Sequence, residues 1–440
     1  MKISKHSSRS GLAMVAVTVV SLLSSMIVVS LLYRLRVENF AADTGNGSRQ
    51  AWEVAKIGLY RAADLVRRDW ANTRLWRDNP GLFKSQFVQD DGRDRWYFTI
   101  YVPGDEDKSL SDGVSERHRH GLLDESARFN LFGVDSTIVE NIPGMTPDAV
   151  ADLETRLGPP VTEGSFRAAP YEPAFALAGT RGARVATMAD LSRQTDSSAL
   201  ESFYDQLALE TYLTTFGVRS ALDGRGRLQI DINHDVENLA RLDVPNQAIE
   251  YIAAERRASE SPIAFGHPIE LLGAEITVND VNGDEKVLES GIKVEHLDEL
   301  LDRCTAVPYD RYIDSTVNVN TASARVLALV PGIDESLAQS IVRTRTDLSP
   351  EDRRSAAWLV ESGLMTVEDF KTTVPWLCAR GFQYRMRVVG FGLPSGIYRV
   401  LEAVVDVSEP RTRIVFLRDL SRDGLPFSIQ PSHSEGEVEI

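Results

Sequence analysis

The chain has 440 residues, room for two or three domains and an ample core. Its net charge is −16, with 64 Asp+Glu against 48 Lys+Arg, which argues against a phosphate-binding surface built on clustered basic residues. The seven His never join cysteines or carboxylates at metal-ligand spacing, and no Gly-x-Ser-x-Gly, His-Glu-x-x-His or P-loop is present, so neither a zinc site nor an enzyme is expected.

A short leader, residues 1–11, carries Lys2, Lys5 and Arg9 and ends in Ser10-Gly11. From Leu12 to Tyr33 there is no charge, and 22 helical residues reach about 33 Å, enough to cross a bilayer. The run is longer than the apolar core of a secretory signal, and Arg34 and Arg36 follow it directly. Three basic residues precede the span and two follow it, so charge sets orientation only weakly. The long downstream part favours a cytoplasmic N-terminus. Residues 34–70 continue as an amphipathic helix loosened at Thr44-Gly-Asn-Gly47. Trp52, Ala55, Leu59, Ala62, Ala63 and Val66 share one face, and Glu53, Arg61, Asp64 and Arg68 the other.

Residues 71–120 begin a head domain. Asn79-Pro80-Gly81 is a turn, Arg95–Pro103 reads as a strand, and a charged loop follows to Gly121. The partners for that strand lie far downstream, within 376–428: Phe382–Val389, Tyr398–Asp406 and Arg413–Leu417. Their alternation is broken by Gly390, Gly392 and Gly396. A small antiparallel sheet packed on the N-terminal helix is the economical arrangement, with 121–375 as a mainly helical insertion and 429–440 as a polar tail.

The insertion repeats itself. Asn130 precedes Pro143-Gly144 by 13 residues, and Asn318 precedes Pro331-Gly332 by the same 13. A middle copy around Asn233 and Pro245 has one extra residue and Asn in place of the glycine. Asn or Thr (Asn320-Thr321 most clearly) is expected to cap the first helix of each unit, Pro-Gly turns the chain, and Asp or Ser restarts the second helix. These are helix-hairpin-helix units, at about 124–157, 229–257 and 316–345. Ala189-Asp190-Leu191 opens a helical region, and Ile276–Val278 with Lys286–Leu288 flank Asn282-Gly283 as a hairpin. Cys304 and Cys378 are the two cysteines; a disulfide and two buried thiols are both open.

A leader ending in Gly11 before an apolar helix resembles the class III leader of type IV pilins and pseudopilins. That resemblance implies cleavage between Gly11 and Leu12 by prepilin peptidase, and methylation of Leu12. Most such proteins carry Glu at the fifth mature position; here it is Ala16. Together with Asp124–Leu131 and Val317–Ala322, the order of elements resembles the type II secretion protein K family of minor pseudopilins. The resemblance implies an α+β fold and a place at the tip of a periplasmic pseudopilus, anchored in the bacterial inner membrane. There the protein would cap or initiate the filament and help export folded cargo. Its partners would be other minor pseudopilins, reached through the helix and head. The family is also linked to calcium, and Asp280-Val-Asn-Gly-Asp-Glu285 offers oxygen ligands. That stretch lacks an EF-hand's sixth-position glycine and closing Glu, so a plain hairpin turn is favoured. An Asp-Trp-Ile-Asp-type stretch common in the family is absent; Arg167 to Ala183 is small and polar instead.

The competing reading is a membrane-tethered helix-hairpin-helix DNA receptor of the competence type. A DNA-gripping hairpin presents a Gly-hydrophobic-Gly turn and basic neighbours. Pro143-Gly-Met-Thr146 and Pro331-Gly-Ile-Asp334 both lack the second glycine, and Asp334 and Glu335 would repel a phosphate. Nucleic acid is therefore not an expected partner.

Overall fold

The computed structural model describes residues 9–103, 118–148, 150–151, 169–170, 209–258, 264–279, 285–308, 311–313 and 316–425. Most of the leader, the 104–117 loop, the Ala189–Leu191 region, residues 280–284 of the calcium-candidate stretch and the 429–440 tail lie outside them.

Helix α1 runs unbroken from Arg9 to Asp69, 61 residues or about 92 Å. The expected loosening at Thr44–Gly47 does not occur. Gly47 instead makes room for the head: a Cβ there would sit 2.5 Å from the Ile397 side chain. From Met14 to Asn46 the helix is exposed, and from Ala51 onward one face is buried. That face holds Ala51, Val54, Ala55, Leu59, Ala62, Ala63 and Val66, close to the stripe read from the sequence. Its small residues let the helix axis come close to the sheet beneath.

The sheet is antiparallel along the order β1 (Gln86–Asp90), β2 (Arg95–Pro103), β3 (Gln383–Leu393), β4 (Tyr398–Asp406) and β5 (Arg413–Asp419). Two short strands join its edges of pairing, His118–Arg119 on β2 and Leu123–Asp124 on β3. The β2–β3 register sets Phe98 opposite Gly390 and Ile100 opposite Val388. Strand alternation then turns Trp96, Phe98, Ile100, Met386, Val388, Leu401, Ala403 and Val405 toward α1. The opposite face carries a smaller cluster of Tyr101, Val389, Phe391 and Val400.

Gly390 and Gly392 do not interrupt β3, as the broken alternation suggested; both lie inside it. A Cβ at Gly390 would fall 2.1 Å from the Ala51 carbonyl oxygen, so glycine is what lets α1 cross the strand. The hairpin between β3 and β4 turns at Gly396, with φ +72°.

The insertion leaves the sheet after Asp124 and returns at Gln383. It forms the largest buried cluster of the molecule, from Ala127 to Leu377, built from short helices and paired two-residue strands. The expected hairpin is present, with Glu275–Asn279 paired antiparallel to Glu285–Glu289. The fold is α+β: a long apolar helix feeding a small antiparallel head, with helical hairpins inserted between its strands.

Candidate functional site

Two features could carry function: the apolar stretch of α1 and the repeated hairpins. Gly11 and Leu12 lie within the first turns of α1, and Ala16 stands exposed among other exposed apolar side chains. Met14, Val17, Val20, Met26, Ile27, Val29 and Tyr33 each expose half or more of their surface. This is the one helix among the described residues long and apolar enough to cross a membrane. Beyond it, Arg34 pairs with Glu38 at 3.1 Å on an exposed turn.

The insertion contains three copies of one unit, larger than the hairpin itself. Each starts with a two-residue strand: Phe129–Asn130, Ile230–Asp231 and Val317–Asn318. Each ends with a second such strand parallel to the first: Leu213–Thr214, Cys304–Thr305 and Leu377–Cys378. The residue after each opening strand donates its backbone N–H to the closing strand: Leu131 to Thr214, Ile232 to Thr305 and Val319 to Cys378, at 2.8, 3.0 and 2.9 Å. The second residue of each opening strand then makes the same turn. The side-chain oxygens of Asn130, Asp231 and Asn318 accept the N–H two residues on, from Phe132, Asn233 and Asn320.

That geometry corrects the capping expectation. Asn320 and Thr321 do not cap the helix; Ser323 does, accepting from Val326 N, and Asp135 does so for Ser136–Glu140. Asn318 and Asn130 hold the turns ahead of the helices. Asn320 ties distant segments together, donating to the carbonyls of Arg353 and Ala379 at 2.8 and 2.7 Å. Asn233, at the equivalent place in the second unit, donates to Phe265 and Ala306. The hairpin turns themselves match expectation. Gly144 and Gly332 follow Pro143 and Pro331 with φ +85° and +87°. At Pro245 the turn is made without a positive φ, and Ala248 N bonds back to the Pro245 carbonyl.

The first and third units meet the head at buried charges that pattern reading missed. Glu125 is fully buried between Arg128 (2.7 Å) and Arg385 (2.6 Å) and accepts a hydrogen bond from Thr214. Burial pushes its carboxyl up, but the two guanidinium groups and the Thr214 hydroxyl outweigh that and hold it below the usual range. Asp124, one residue earlier, accepts from Ser126, Asn318 and Thr321, so strand Leu123–Asp124 of the head is tied to the third unit. There burial prevails, and the carboxyl is raised despite those donors. Arg380 reaches Asp302 at 2.6 Å and lies over the Trp70 ring at the end of α1. The signal was present only in the acidic pair Asp124-Glu125 standing beside Phe129-Asn130.

The hairpin turns spend their polar groups internally. The Asp334 carboxylate caps Glu335–Thr344 by accepting Leu337 N at 2.7 Å, and Ile333 N bonds Val330 O. Cys304 and Cys378 are buried free thiols, and burial pushes the Cys304 thiol up to about 12. Among the described residues no group of three or more His, Cys, Asp or Glu is placed to hold a metal.

Comparison with known proteins finds a matching motif and similarity to a solved structure. Residues 314–355 match the family model of the helix-hairpin-helix motif, a span that takes in the hairpin of the third unit but not its closing strand. No curated protein matches the chain. Among solved structures, it is similar to a chain of the GspK-GspI-GspJ complex from the type 2 secretion system of enterotoxigenic Escherichia coli. The identity is 11% over 86% of this chain and 99% of that chain, with a TM-score of 0.31.

Proposed function

We propose that this protein is a minor pseudopilin of a type II secretion system, acting at the tip of a periplasmic filament. The observation that carries the reading is the continuity of α1. One helix is wholly exposed and apolar over a membrane-length stretch, then becomes the buried spine of an antiparallel head. Such a helix can leave a bilayer sideways into a bundle of like helices while its head stays rigidly attached. From Leu12 to Leu32 the polar side chains are Ser and Thr, and two of their hydroxyls bond back to the helix, Thr18 to the Met14 carbonyl and Ser25 to the Ser21 carbonyl.

On this reading prepilin peptidase cuts after Gly11, and Leu12 becomes a methylated N-terminus. Ala16 leaves no carboxylate to pair with a neighbour's terminal amine in the apolar bundle, where an unpaired charge costs about 2.5–3.5 kcal/mol. The helix is thus suited to a terminal position, and the insertion would block a subunit above it. The head would lie in the periplasm, anchored in the inner membrane, with other minor pseudopilins as neighbours and secreted proteins as cargo. The work is mechanical, with no catalytic step.

Gly11→Ala tests the reading in cells carrying the matching peptidase. The variant is expected to keep its leader and stay out of the sheared filament fraction. Normal processing and recovery of the variant with other pseudopilins would sink the proposal. Salt-sensitive binding of duplex DNA by the detergent-solubilised chain would instead bring forward the tethered DNA receptor.

A further inference from the structure

The three equivalent units act as internal controls for one another, and one polar atom differs between them. In the second unit the Asn233 amide is saturated. Its nitrogen donates to Phe265 and Ala306, and its oxygen accepts the backbone N–H groups of Ala264 and Phe265, both at 3.0 Å. In the third unit Asn320 donates through the same nitrogen to the equivalent partners, Arg353 and Ala379. Two carbonyl acceptors fix which end of that amide is nitrogen. Its oxygen, buried in a side chain only 6% exposed, has no donor. In the first unit the position is Phe132, which poses no such requirement.

A small cavity of about 10 Å³ lies where Asn320 stands. Three parts of the molecule wall it: Trp70 and Thr73 after the end of α1, Asp124 and Tyr384 of the head sheet, and Asn320 with Thr321 of the third unit. Its volume is that of one water-sized sphere, about the least that holds a water molecule. A buried carbonyl oxygen left without a donor costs about 1–3 kcal/mol. The hydroxyl oxygens of Thr73, Thr321 and Tyr384 line the same space and can accept the second proton of such a water. A cation fits less well, because Arg353 also lines the space and Asp124 already accepts four hydrogen bonds.

We infer that this junction binds a single structural water molecule, which donates to Asn320 Oδ1 in place of the backbone N–H groups that serve Asn233. The water joins the segment after α1, the head sheet and the third unit, beside the direct bonds of Asp124 to Asn318 and Thr321 and of Arg353 to Thr73. The inference rests on internal geometry and stands apart from the secretion reading.

Two substitutions of equal size at the cavity wall separate it from simple packing. Ala379→Val fills the space with methyl groups and leaves Asn320 Oδ1 without a donor. Ala379→Thr fills it equally but brings a hydroxyl able to replace the water. With the full-length chain in detergent, the Thr variant is expected to melt several degrees above the Val variant. Crystals of the unsubstituted chain are expected to show one water within hydrogen-bond distance of Asn320 Oδ1. Equal or higher stability of the Val variant would overturn the inference. So would an empty cavity, or an anomalous peak there in crystals grown with calcium.

Discussion

Glu125 is the residue on which the joint between head and insertion turns. It has no solvent contact and is held by Arg128 and Arg385 on opposite sides of that joint. Removing one member of a buried ion pair leaves the remaining charges unmatched, at a cost of about 3–5 kcal/mol. Glu125→Gln is therefore expected to lower the melting temperature by many degrees. The effect depends on pH in a definite direction. The folded carboxyl lies below its ordinary value, so its contribution is fully present above the unfolded value of about 4.3. It is lost as pH falls through the lower folded value. Chemical denaturation of both forms from neutral pH down into that range should show the wild-type advantage shrinking. An advantage independent of pH would mean that packing, not the ion pair, accounts for the loss. None of this was legible in the sequence, because a buried carboxylate and a solvated one are written with the same letter. Asn130, Asn233, Asn318 and Asn320 were picked out by spacing, but as helix caps. Their long-range bonds run to residues 32 to 194 positions away, which local pattern cannot reveal.

At the scale of elements, the strands and the helix stripe were readable because each follows a short period. Tyr398–Asp406 alternates in part and forms β4 over those same residues, and of the stripe read as Trp52, Ala55, Leu59, Ala62, Ala63 and Val66 all but the half-buried Trp52 are buried. The closing strands of the three units were not readable. Leu213–Thr214, Cys304–Thr305 and Leu377–Cys378 are two residues each, too short for any period, and exist because a partner strand lies beside them. Glycines misled in both places. Gly47 and Gly390 looked like breaks, whereas each marks a close approach between α1 and the head. Gly390→Ala is expected to force helix and sheet apart and cost about 1–3 kcal/mol. Gly81→Ala, on an exposed short helix, serves as the comparison. Thermal unfolding that leaves the Gly390 variant as stable as the Gly81 variant would contradict the packing described.

At the scale of the molecule, the parts form a graded series from lipid-like to fully interlocked. Among the described residues the first stretch of α1 has no partner, the next is half buried on the sheet, the sheet is bolted to the insertion by Asp124 and Glu125, and Arg380 of the insertion lies over Trp70 at the end of α1. A load applied to the insertion would thus pass to the exposed apolar part of α1 with no loose joint along the helix. On the proposed function, that suits a subunit moved as a rigid body by the filament beneath it. On the same proposal, the apolar stretch begins a processed, assembly-competent helix. The most direct test is the N-terminal mass of the chain recovered from membranes of cells carrying the matching peptidase. The account predicts a chain starting at Leu12 with one added methyl group. A chain still starting at Met1 would contradict it and leave an ordinary signal-anchored protein.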